Sequence, residues 1–80
     1  MRESASLRYV LPREMRVSLA IYDASGRRVR EIESGVVPAG EHAAVWDGRD
    51  ASGHRVSTGL YFVRLDADGR ALNGRILAMR

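Results

Sequence analysis

The sequence has no cysteine, no lysine and only two prolines, and its aromatics are one tryptophan, three tyrosines and one phenylalanine. Each scarcity excludes something. Without cysteine there are no disulfides, no thiolate nucleophile and no thiolate metal site, and the redox compartment is left open. No apolar run approaches the roughly 20 residues of a membrane-spanning helix. Met1 to Ser6 is not followed by the hydrophobic segment of a signal peptide. With lysine absent, all thirteen positive charges are arginine, set against five Glu and five Asp for a net charge of +3.

The chain has 80 residues and 8.9 kDa, which suits one small domain spanning residues 1–80. A domain of this size buries roughly 60% of the surface its unfolded chain exposes, so its margin of stability is thin. At 45% hydrophobic and 29% charged with eight glycines, the composition is that of a globular module and not of a disordered tail.

The dominant period is two, in short runs closed by turn formers. Leu7, Tyr9 and Leu11 alternate with polar or smaller neighbours until Pro12, which cannot donate into a ladder. Val17, Leu19 and Ile21 give the next strand one strongly apolar face. Asp23-Ala24-Ser25-Gly26-Arg27 then reads as a hairpin turn, because Asp accepts from backbone donors ahead of it and Gly supplies positive φ. It leads into a run from Arg28 to Ile32. The spacing from Val29 to Ile32 breaks strict alternation and predicts a bulge, a strand end or a strand boundary that lies elsewhere. In the following run His42, Ala44 and Trp46 face one way and Ala43 and Val45 the other, so that strand is expected to be covered on both sides.

Residues 47–54 form the longest polar stretch, an ordered surface loop. Gly59 to Leu65 is the strongest strand signal, with Tyr61, Val63 and Leu65 on one face. Asp66-Ala67-Asp68-Gly69 turns it into a last strand from Ala71 to Met79. The three Asp-x-x-Gly turns share one pattern without a fixed period, which points to repeated turn chemistry and not to a solenoid. Six or seven short strands with no amphipathic helix predict an all-β fold. The natural solution is a small antiparallel Ig-like or fibronectin-like sandwich, since two apolar sheet faces must cover each other.

The motifs Pro38-Ala39-Gly40-Glu41-His42, Trp46-Asp47-Gly48-Arg49-Asp50, Gly53, Val56, Gly59-Leu60-Tyr61-Phe62 and the terminal Arg75-Ile76-Leu77-Ala78-Met79-Arg80 carry a resemblance. The chain resembles the Ig-like modules related to the C-terminal domain of the flagellar hook-capping protein and to the C-terminal sorting domains of the type IX secretion system. The Asn-Pro-rich segment that such modules carry before their first strand does not occur here. The resemblance implies a C-terminal accessory β-sandwich of a larger bacterial protein, at an extracellular or cell-surface location. Its partners would be a neighbouring domain of the parent protein or secretion and assembly machinery.

Trp46 and Tyr61 are expected in the core, with Asp47, Gly48 and Gly59 at turns and strand ends. Tyr22 and Phe62 fall on the opposite parity to their apolar neighbours and are the candidates for partner-facing aromatics. Asp47, Asp50, Asp66 and Asp68 invite a calcium reading, but only Asp66-x-Asp68-Gly69 matches a fragment of a calcium loop, and turn capping with nearby arginines explains them more simply. His42 and His54 lack companion ligands for zinc; the first is expected to be partly buried and the second solvent-facing. No metal or cofactor is therefore expected.

The serines, histidines and aspartates coincide with turns and form no nucleophile, base and orienter set, so no enzymatic activity is expected. Arg27, Arg28 and Arg30 are basic, yet Glu31 and Glu33 follow at once and no aromatic platform interleaves with a basic run, so nucleic acid is not an expected partner. The expected function is that of a noncatalytic C-terminal accessory module for protein-protein interaction, domain assembly, or secretion sorting and cell-surface attachment. The alternative is a carbohydrate-binding accessory module that stacks a glycan on Tyr22 and Phe62.

Overall fold

A computed structural model describes residues 5–78. It contains six strands, β1 (Ala5–Leu11), β2 (Met15–Tyr22), β3 (Arg28–Val37), β4 (Gly40–Trp46), β5 (Gly59–Ala67) and β6 (Arg70–Ala78). They form two antiparallel sheets, one of two strands in the order β1-β4 and one of four in the order β3-β2-β5-β6. The expected all-β sandwich is the observed fold. Met79 and Arg80, placed in the last strand and the terminal motif by sequence, lie outside the described residues, as do residues 1–4.

Alternation decides what is buried. Tyr9 and Leu11 from β1, Val17, Leu19 and Ile21 from β2, Val37 from β3, Trp46 from β4, and Tyr61 and Leu65 from β5 point between the sheets and are buried. They gather into two adjoining clusters, one around Leu19 and Leu65, the other around Ile21, Trp46 and Tyr61. Leu7, Ile32 and Val63 pack against both, so the core is continuous along the sandwich.

Two local features differ from the sequence reading, the length of β3 and the covering of β4, and between them lies an expected bulge. The run starting at Arg28 does not stop at Ile32 but continues to Val37. Gly35, at a φ of 131° that side-chain-bearing residues rarely adopt, lies within it. The irregular spacing between Val29 and Ile32 corresponds to two register shifts against β2, one between Leu19 and Ala20 and one between Ile21 and Tyr22. These shifts let Val29 and Ile32 both reach the core. Finally, β4 is covered on one side only, with Val45 63% exposed, because the small sheet has no third layer above it.

The turns also separate into two kinds. Asp23 Oδ1 accepts from the amides of Ser25 and Arg27, both at 3.0 Å, and from Ser25 Oγ at 2.7 Å. Asp50 Oδ1 accepts from the amides of Ser52 at 2.9 Å and His54 at 3.0 Å. Each of these turns is closed by a bond from the fourth-position glycine back to the Asp carbonyl at 3.0 Å. The third is a different structure. Asp68 and Gly69 both have positive φ, 54° and 77°, and join Ala67 to Arg70 in a two-residue hairpin. Asp66, the formal counterpart of Asp23, bonds Arg64 instead.

Candidate protein-interaction surface

The outer face of the four-stranded sheet carries the two aromatics singled out by parity. Tyr22 pairs with Phe62 across β2 and β5, Tyr22 also pairs with Arg28 on β3, and Phe62 pairs with Arg75 on β6. The result is one row across the sheet, Arg28–Tyr22–Phe62–Arg75. Both aromatics are half-buried. One step along, Leu60 on β5 pairs with Leu77 on β6, and these are 41% and 66% exposed. Sequence reading missed the leucines. Leu60 shares the parity of Phe62, and Leu77 that of Arg75, but their adjacency depends on the β5–β6 register.

This end of the sheet therefore shows four large apolar side chains flanked by two guanidinium groups. A shallow hollow beside it is lined by Tyr22, Asp23, Gly26, Phe62, Arg64 and Asn73. Arg28 is drawn to Glu31 at 3.8 Å with both side chains about half exposed, a contact worth little in water. Aromatic and arginine side chains with apolar neighbours are what protein interface cores are enriched in.

Trp46 takes no part in this surface. It is 1% exposed, stacks edge-on with Tyr61 at 5.5 Å between ring centroids, and donates from Nε1 to the Arg49 carbonyl at 2.9 Å. Arg30 Nη1 reaches the same carbonyl and Asp47 Oδ1, each at 3.2 Å. Asp47 Oδ1 accepts in addition from the Arg49 amide at 3.1 Å. Gly48, at a φ of 79°, is buried, and its carbonyl accepts from the Val56 amide at 2.9 Å. The polar loop is thus a small hairpin held against the edge of the large sheet, with Ala51 N–H donating to the Val29 carbonyl at 3.1 Å. Gly59 opens β5, and a Cβ there would make ordinary contact with Tyr61. Tyr61 in turn donates to the Ser57 carbonyl at 2.7 Å.

The four aspartates considered for calcium each have another occupation. Asp47 serves Arg30 and the Arg49 amide, Asp50 caps its turn, Asp66 bonds Arg64, and Asp68 pairs with Arg13. The turn bonds hold two carboxyls below the usual value of 3.8. For Asp23 the main cause is the Ser25 hydroxyl, followed by the Arg27 amide; for Asp50 it is the His54 amide. Among the described residues no three His, Asp or Glu side chains gather in a way that could hold a metal ion.

His42 is half-buried and His54 exposed. The Pro38 carbonyl accepts from His42 Nε2 at 2.7 Å, and the imidazole lies 5.4 Å from the Tyr9 ring. Tyr9 makes a polar link between the sheets, donating its phenol to Glu33 Oε1 at 2.7 Å. Burial, with the Glu33 hydrogen bond and charge, pushes that phenol from its usual 10.0 up to about 12.

Comparison with known proteins agrees with this geometry. Residues 2–71 match the family model of the FlgD Ig-like domain. Over 52 residues, 65% of the chain, it is 38% identical to the basal-body rod modification protein FlgD of Salmonella typhimurium, with the same figures for that of Salmonella typhi. It superposes on the crystal structure of FlgD from Xanthomonas campestris, described for the hook capping essential for flagellar assembly, with a TM-score of 0.72 at 29% identity over 96% of the chain. For FlgD from P. aeruginosa the values are 0.67, 28% and 94%. The match spans 22% of the Salmonella proteins and 56% and 61% of the two solved chains.

The chain belongs to the FlgD Ig-like domain family, a noncatalytic structural family. The expected extracellular or cell-surface location is overturned. It was implied by the resemblance to hook-capping and sorting modules together, whereas the family and relatives matched are those of a flagellar hook-capping and rod-modification protein and not of a cell-surface sorting-domain protein. The physical reason is that the shared motifs, the Trp46 loop and the capped Asp turns, are devices that hold a sandwich together. Such devices do not report where it works.

Proposed function

We propose that the chain is a docking module in flagellar hook assembly, holding other flagellar components through the outer face of its four-stranded sheet. The observation that carries this reading is the Arg28–Tyr22–Phe62–Arg75 row beside Leu60 and Leu77. A sheet face turned to water normally alternates to polar residues, and here it keeps four large apolar groups where no layer of the fold covers them. The reading draws its biological setting from relatives whose described role is hook capping.

The test is a titration of the isotopically labelled chain with purified flagellar hook protein, followed by amide chemical shifts. Shifts confined to residues 20–24, 60–64 and 73–77 support the reading. Shifts spread over the small sheet, or none at stoichiometric excess, reject it. Cellohexaose serves as the control for the carbohydrate alternative and should move neither aromatic's signals.

A further inference from the structure

The two sheets close unequally. On one side the backbone of β3 comes up to β4, while β1 and β6 make no comparable approach on the other. Between them runs an open groove floored by Leu19, Val63 and Leu65 and continued past Leu11 and Met15, with Leu72 at its mouth. Leu72 pairs with buried Leu65 and so points inward, yet it is 68% exposed. Gly74 keeps the floor low, since a Cβ there would come within 3.0 Å of Val63 Cγ1.

The edges of the two sheets differ in how they are protected. Away from the groove, the edge strand β3 carries two register shifts, a device that discourages strand addition. By contrast the two edges that border the groove are regular, β1 pairing with β4 over seven residues and β6 with β5 over nine without a shift, which leaves the other side of β1 a row of backbone donors and acceptors. A sheet edge beside an apolar trough is the arrangement that accepts an extended peptide, with main-chain bonds giving affinity and alternate side chains filling the floor.

Charge selects the occupant. Arg8, Arg13 and Arg70 line the groove against one carboxylate, Asp68, which Arg13 already engages. Arg8 lies 3.9 Å from Glu41 with both side chains about 70% exposed, so it remains available to an incoming carboxylate. A second copy of the chain, at net charge +3, would bring the same arginines up to these.

From this geometry we infer that β1 and the groove beneath it bind in trans an extended polypeptide segment with apolar side chains at alternate positions and carboxylates between them, which adds to the small sheet as a third strand. The site is separate from the outer face carrying Tyr22 and Phe62.

Hydrogen exchange of the full chain tests it, with a capped octapeptide alternating valine and glutamate as probe. Two controls are an octapeptide alternating valine and arginine, and the valine-glutamate peptide with proline at two valines. The valine-glutamate peptide should slow exchange at least tenfold at the β1 amides, residues 6–11, that face away from β4, and neither control should. Leu72→Arg should abolish the effect while leaving circular dichroism unchanged, and Arg8→Glu should reverse the preference between the charged peptides. Equal protection by the arginine peptide, or none by any, overturns the inference. Protection of β1 that rises with protein concentration in the absence of peptide assigns the edge to a second copy and overturns it too. Protection by the valine-glutamate peptide confined to residues 20–24 and 60–64 overturns it while leaving the outer-face reading standing.

Discussion

The Tyr9 phenol, on the small sheet, donates to Glu33 on the edge strand of the large one at 2.7 Å, a part-buried side-chain hydrogen bond that joins the two sheets. Because burial raises the folded phenol to about 12 from 10.0, the native state holds this proton more tightly than the unfolded chain does. The associated stability is complete below about pH 10 and is lost as pH rises through about 12. Chemical denaturation of the wild type should show a fall in stability across that window. Tyr9→Phe should be less stable by about 0.5–1.5 kcal/mol at pH 7 and should lack this part of the alkaline loss. An identical alkaline profile in the variant would remove the role given to Tyr9.

Trp46 joins the core to the polar loop, through Tyr61 on one side and the Arg49 carbonyl on the other. Trp46→Ala should cost about 3–5 kcal/mol, a large part of the stability of a domain this small. Trp46→Phe keeps most of the packing and loses the indole donor. It should lower the melting temperature by roughly 4–8 °C per kcal/mol lost and speed amide exchange at residues 49–55 more than in β2.

The capped turns at Asp23 and Asp50 make an acid-side prediction. Their folded carboxyls lie below 3.8, so their contribution is present above that value and is lost as pH falls through the lower folded one. Asp23→Ala and Asp50→Ala should each melt below the wild type at pH 7, and the gap should narrow toward pH 2. Asp66→Ala removes a surface contact to Arg64 and no cap, so it should change melting little. A loss at Asp66 equal to that at Asp50 would contradict the distinction between the two kinds of turn.

Much of this was legible in the sequence. Strict alternation around Leu19 and around Val63 gave the core face and placed Tyr22 and Phe62 on the other. The Asp-x-x-Gly spacing marked three turns, and the broken spacing after Val29 anticipated a bulge. What it could not yield depends on pairing between distant segments. Whether β4 is covered twice depends on how many layers the fold has, and nothing local to Ala43 and Val45 records that. The two-residue hairpin at Asp68-Gly69 and the capped turn at Asp23 share a four-residue pattern, but the flanking strands select the geometry. The row from Arg28 to Arg75 exists only in the register of four strands, so no window of sequence contains it.

The central claim is that the half-buried pair Tyr22 and Phe62 on the outer sheet face serves docking and is not needed to hold the fold. The most direct measurement is the affinity of Tyr22→Ser/Phe62→Ser for purified flagellar hook protein beside that of the wild type, with thermal melting of both. The account predicts binding at least tenfold weaker, about 1.4 kcal/mol, while the double variant still unfolds cooperatively with its circular dichroism unchanged. Unchanged affinity in a folded double variant would contradict it.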